Sequence, residues 1–264
     1  MGELEQEVRK ARSSSGEVLT ELLYHPAPAV LLALLDNPAF DEEKACLLLA
    51  RKDAPTEVLE ELGDRKSLLK SYAVKKALLF HPRTPRLVVL RLLRDIYLTD
   101  LVQLTLSPSV SVGTKRLAES QIIARMPQLP LGQKIALARR GPGRVAGVLV
   151  TEGHPQVLPV ALDNHHLTEA NVLKALASAK IPPPAVQAIS RHAKWSQMYN
   201  VRLALVCNPS APLATILAFL PQLTVSDLSE LASPGIVPEN LRNYLQAEVL
   251  RRLHASKEHP DLQL

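Results

Sequence analysis

Along most of the chain apolar residues recur at the spacing of a helix rather than alternating as in a strand. Ala73, Ala77 and Leu78 lead into His81-Pro82, and after Thr84-Pro85 come Leu87, Val88, Leu90, Leu92 and Leu93. Proline punctuates this pattern at Pro28, Pro55, Pro82 and Pro108, and again at Pro155, Pro182, Pro209 and Pro234. The steps are close to 27 residues, the mark of a stacked repeat. The residue before a proline is steered out of the helical region, while proline itself fits a first helical turn, so each proline marks a corner. Asp41, Asp53, Thr99, Thr168 and Ser226 stand where a following helix should start and can cap its free N–H groups. The pattern predicts two short helices per repeat, about sixteen in all, and no strands.

A longer period lies over the short one. Displaced by 127 residues, the chain matches Asp36-Asn37 to Asp163-Asn164, Pro55 to Pro182, Tyr72 to Tyr199, and Pro82 and Pro85 to Pro209 and Pro212. This predicts an N-terminal repeat half, 1–126, a joint, 127–151, and a C-terminal repeat half, 152–264. A helix over Gly132 to Arg140 is expected inside the joint, and a last helix over about Pro238 to Lys257, with a frayed tail from Glu258.

The segments Tyr72-Ala-Val-Lys-Lys-Ala-Leu-Leu-Phe-His-Pro-Arg-Thr-Pro and Tyr199-Asn-Val-Arg-Leu-Ala-Leu-Val-Cys-Asn-Pro-Ser-Ala-Pro resemble the helical repeats called leucine-rich repeat variants and, more broadly, HEAT-like repeats. The resemblance implies an all-α, right-handed α-solenoid whose concave face serves as an interaction surface. Some proteins with such repeats carry a cysteine-bound iron-sulfur cluster. With only Cys46 and Cys207, far apart in sequence, this chain has no cysteine cluster to hold one, and no cofactor is expected.

Composition agrees with short aliphatic helix pairs, since 47% of residues are hydrophobic and only 3% aromatic. Apolar runs such as Val30 to Leu35 are too short to span a membrane, and the N-terminus is charged with no signal-like apolar stretch, so a cytoplasmic protein is expected. The formal net charge of +5 is unevenly spread. Residues 1–74 carry net −5, residues 75–144 net +10, and the remainder is balanced. At the 127-residue displacement Lys76, Arg83, Arg86, Arg91, Arg94 and Arg116 meet Leu203, Ser210, Leu213, Ala218, Pro221 and Asn243, so the scaffold does not require these charges. Together with Arg139, Arg140 and Arg144 they are the candidates for binding an anionic partner.

Nothing in the sequence assembles a catalytic set. Asp163-Asn164-His165-His166 is dense in polar groups but has no metal-ligand spacing, and its equivalent Asp36-Asn37-Pro38-Ala39 lacks the histidines, so it reads as a turn. Both cysteines read as buried thiols replacing larger apolar groups. Gly141-Pro142-Gly143-Arg144 matches no phosphate-loop pattern and reads as a hinge. His25 and His81 read as hydrogen-bonding turn residues, and Trp195 with Tyr199 as packing groups between repeats. The expected function is a non-catalytic scaffold that holds a protein or peptide on its concave face. The alternative is nucleic-acid binding, duplex backbone contact through the basic segment 75–144, for the shortage of aromatics argues against base stacking.

Overall fold

A computed structural model describes residues 2–233, 237 and 239–258. Every regular element among them is helical. Pro234 and Pro238 and the tail beyond Glu258, included in the sequence expectations, lie outside the described residues. The chain divides into two compact units, Met1–Gln128 and Leu129–Leu264.

In the first unit the helices are α1 (Glu3–Ser13), α2 (Gly16–Leu22), α3 (Pro28–Leu35), α4 (Glu42–Ala50), α5 (Thr56–Asp64), α6 (Tyr72–Phe80), α7 (Arg86–Leu92), α8 (Leu98–Leu106) and α9 (Val112–Arg125). Each of several helices packs on the one two places further along the chain. One layer runs α1, α3, α5, α7, α9, and the other contains α4, α6 and α8. The buried core of the unit includes Val30, Leu34, Leu48, Leu59, Leu78, Val89 and Leu104, all fully buried. Each such side chain contributes about 2 kcal/mol by leaving water.

In the second unit the helices are α10 (Leu131–Arg140), α11 (Gly143–Glu152), α12 (Leu158–Leu162), α13 (Glu169–Leu176), α14 (Pro183–Arg191), α15 (Tyr199–Cys207), α16 (Leu213–Phe219), α17 (Val225–Leu231) and α18 (Glu239–Glu258). Here α10, α12 and α14 form one packed series and α11, α13 and α15 the other. The stretch expected as a joint thus contains α10 and all but the last residue of α11, both helices of the second unit, and the order of elements matches the first unit from its first helix onward. Helices α5, α6 and α7, displaced by 127 residues, coincide end for end with α14, α15 and α16.

The corners explain why the chain turns where it does. Pro55, Pro85, Pro142, Pro182 and Pro212 occupy the cap position before a helix with extended backbone, where a missing N–H costs nothing. Asp41 and Thr168 cap α4 and α13 as expected, each accepting the N–H three residues on. Three expected starts differ. Thr99 and Ser226 lie inside helices, α17 being capped by Thr224 and α8 starting after Tyr97, while Asp53 pairs with Arg51 instead of capping.

Candidate interaction face

A recurring side-chain device ties one corner to an earlier helix. Asn164, 2% exposed, accepts the His166 N–H at 2.7 Å and donates to the carbonyls of Ala138 at 2.7 Å and Gly141 at 3.1 Å. Asn37 does the same with the Ala39 N–H and the carbonyls of Ala11 and Ser14. His81 uses a ring in place of an amide, Nδ1 accepting the Arg83 N–H at 3.2 Å while Nε2 donates to the Arg51 carbonyl at 2.6 Å. Its counterpart Asn208 accepts the Ser210 N–H and donates to the Leu176 carbonyl. Histidine and asparagine interchange here because each carries an acceptor and a donor at opposite ends of a short planar group. Burial depresses the His81 pKa below its usual value despite the bond to Arg51, so the ring is neutral in the fold.

Two further ties recur at the same displacement. Arg125 donates to the carbonyls of Leu93, Arg94 and Ile96, and Arg252 to those of Leu220 and Leu223, satisfying the ends of short 3-10 turns. Tyr72 donates to Asp100 and accepts the Tyr97 N–H, as Tyr199 donates to Asp227 and accepts the Thr224 N–H. Burial is the largest influence on Asp100 and pushes its pKa up, but the bonds from Lys76 and Tyr72 outweigh it and leave the carboxyl below its usual value.

These ties sort the candidate cations. Lys76 pairs with Asp100 at 2.7 Å, Arg83 donates to the Asp53 carbonyl at 2.8 Å, and Arg91 pairs with Asp64 at 2.5 Å. Much of the central basicity therefore answers acidic or carbonyl groups of the same unit. Arg86 and Arg94 remain exposed at the two ends of the α7 stripe, and neither side chain has a hydrogen-bond or ion-pair partner among the described residues. Arg116 is exposed on α9, where it lines a cleft of about 350 Å³ with Arg86, Thr84, Ser111 and Thr114. Arg139 and Arg140 belong to the second unit, in the last turn of α10, where positive charge complements the helix dipole. Arg144 is in the first turn of α11. The candidates thus fall into two units, and of those in the first only Arg86 and Arg91 share a helix, α7, with Arg94 in the 3-10 turn that follows it.

That face is mixed. Residues 86, 87, 90 and 91 follow helical spacing on α7 and, like Arg94 in the 3-10 turn Leu93–Asp95, face solvent, placing Leu87, 72% exposed, and Leu90, 41% exposed, among the arginines. The opposite side of α7 is buried through Val88, Val89 and Leu92. Its seat on α5 is close, since a Cβ on Gly63 would lie 2.7 Å from both methyls of Val88. Exposed Glu57, Glu60 and Asp64 make the neighbouring α5 face acidic.

Other sequence candidates have structural duties. Asp163 pairs with His192 at 3.1 Å, while His165 and His166 are exposed, and no three His, Cys, Asp or Glu side chains converge as a metal site among the described residues. Trp195, 1% exposed, donates to the Leu162 carbonyl at 2.8 Å from a 3-10 turn, while Tyr199 begins α15, so the pair is not on one helix. Cys46 is half-buried and Cys207 exposed, in contrast to the buried thiols expected. Gly143 is a packed corner, for a Cβ there would meet the His166 carbonyl oxygen at 2.0 Å. No helix among the described residues is long and apolar enough to cross a membrane.

The sequence missed the leucines. Leu87 and Leu90 belong to the apolar spacing after Pro85, but the buried stripe of α7 is Val88, Val89 and Leu92, and three buried positions on one side leave 87 and 90 outside it. Compared with models of protein families, with curated proteins and with solved structures, the chain matches none.

Proposed function

We propose that the chain is a duplicated α-solenoid of the leucine-rich repeat variant or HEAT-like kind, acting as a non-catalytic scaffold that binds a protein or peptide partner. The observation that carries this reading is the α7 face, where exposed leucines stand between arginines that the scaffold does not use. The packing of helices on their second neighbours supports the solenoid part of the reading, and the side-chain ties repeated at a displacement of 127 residues support the duplication. Duplex backbone binding through 75–144 is the weaker reading. A phosphate backbone gains nothing from Leu87 and Leu90.

Selection of a random peptide library on the full chain, with duplex DNA and RNA titrated in parallel at low salt, tests this. The reading expects peptides that bind with micromolar Kd and no salt-sensitive duplex binding. Failure to enrich any peptide, or duplex binding that falls steeply with salt, overturns it.

A further inference from the structure

We infer that the exposed face of α7, with the adjoining first turns of α9, docks an acidic amphipathic helix of a protein partner. Apolar side chains of that helix cover Leu87 and Leu90, and its carboxylates meet Arg86, Arg94 and Arg116. This inference rests on the scaffold reading and adds the chemistry of the partner.

Single exposed leucines are ordinary on protein surfaces, so the argument rests on their arrangement. Leu87 and Leu90 are exposed on α7, with Arg86 at its start and Arg94 in the 3-10 turn that follows it, and two concavities open beside them. One, of about 430 Å³, is lined by Leu87, Leu90, Arg91 and Arg94. The other, of about 350 Å³, lies between the starts of α7 and α9 and brings Arg86 and Arg116 to one cleft with the hydroxyl-bearing Thr84, Ser111 and Thr114. The first suits an aliphatic side chain beside a carboxylate, and the second a carboxylate held by guanidinium groups.

The second unit supplies an internal control. At the equivalent surface positions α16 and the turn after it carry Leu213, Ala214, Leu217, Ala218 and Pro221. Leu213 and Leu217 are exposed there as well, so the apolar part of the face recurs while the arginines occur only in the first unit. A helix at this place in the scaffold stays folded without the charges, so Arg86 and Arg94 have no duty in the scaffold.

Charge complementarity selects the occupant. The arginines call for an acidic partner, and the leucines require that partner to carry apolar groups at helical spacing. A second copy of the chain offers the acidic α5 row, but the exposed positions of that row, Thr56, Glu57, Glu60 and Asp64, are polar and have nothing to set against Leu87 and Leu90.

The test uses the full chain and a synthetic helical peptide of about 16 residues, with leucine on one face and glutamate on its flanks, beside the same peptide with lysine for glutamate. Binding is measured to the wild type, to Arg86→Glu/Arg94→Glu and to Leu87→Ser/Leu90→Ser. All four positions face solvent, and circular dichroism with urea unfolding checks that the variants are folded. The acidic peptide is expected to bind the wild type and to lose about tenfold or more in Kd against each double variant, and the lysine peptide to prefer the charge-reversed chain. Equal binding of the acidic peptide to wild type and variants, or none at all, overturns the inference. Library peptides that bind but are indifferent to Arg86 and Arg94 overturn it and leave the scaffold reading standing. A library that yields no binder removes both. Sedimentation showing a dimer that Arg86→Glu/Arg94→Glu dissolves would make the occupant a second copy and likewise overturn it.

Discussion

Asparagine at a corner carries more of this structure than its polarity suggests. Asn37 and Asn164 each satisfy two buried or half-buried carbonyls and one N–H, so truncation leaves those groups without partners in a place water does not reach. Asn37→Ala and Asn164→Ala are each expected to lower unfolding free energy by about 2–3 kcal/mol in urea titrations, whereas truncating exposed Asn200 should change it far less. His81 gives a sign that can be checked. Its folded pKa lies below the unfolded value near 6.5, so the unfolded chain binds more protons, and stability present above about pH 6.5 is lost as pH falls toward the folded pKa. His81→Asn keeps an acceptor for the Arg83 N–H and a donor for the carbonyl, as Asn208 does at the equivalent corner. The variant is therefore expected to match wild type near neutral pH and to lose less stability between pH 6.5 and 5. A profile that stays parallel to wild type would contradict this account of His81. These duties were half-legible in the sequence. Alignment of Asp36-Asn37 with Asp163-Asn164 marked a corner, but the carbonyls that the amides reach are more than twenty residues away, a distance no local pattern encodes.

Among the elements, α7 shows how the scaffold positions a surface. Its apolar side and its proline start were readable from spacing, because burial and backbone restriction both leave a periodic trace. Which leucines stay outside was not readable, since Leu87 and Leu90 have the same hydropathy as the buried Leu92, and only the packing partner decides. That partner approaches over Gly63. Gly63→Ala puts a methyl against Val88 and is expected to destabilise the chain by about 1–3 kcal/mol while shifting α7 on α5. Val88→Ala alone leaves a cavity and also destabilises, but in the double variant the two defects relieve one another. The double-mutant cycle should therefore show a coupling of about 1 kcal/mol or more. Additive effects would mean that α5 and α7 do not meet through this pair. The same reasoning explains the differing helix starts: Thr224 rather than Ser226 caps α17 because the turn before it ends two residues earlier than the spacing of polar residues suggests.

For the whole molecule, the chain divides into units after Gln128, and the second unit includes most of the stretch expected as a joint. The spacing gives α10 inside the expected joint but not α11, because Gly141-Pro142-Gly143 resembles a linker by composition alone. Gly143 is small because the corner at His166 packs against it, and the Gly141 carbonyl is taken by Asn164. Charge follows a similar logic. The net +10 of residues 75–144 is a property of sequence order, and the fold distributes it among ion pairs, carbonyl ties and one helix face. The central claim is that this face of the first unit recognises a partner and that its counterpart on α16 does not. Hydrogen–deuterium exchange of the full chain with and without the acidic amphipathic peptide tests it most directly. The account predicts slowed exchange in residues 86–94 and in the first turns of α9, with α16 and α18 unchanged. Protection centred on α16, or spread evenly over both units, would contradict it.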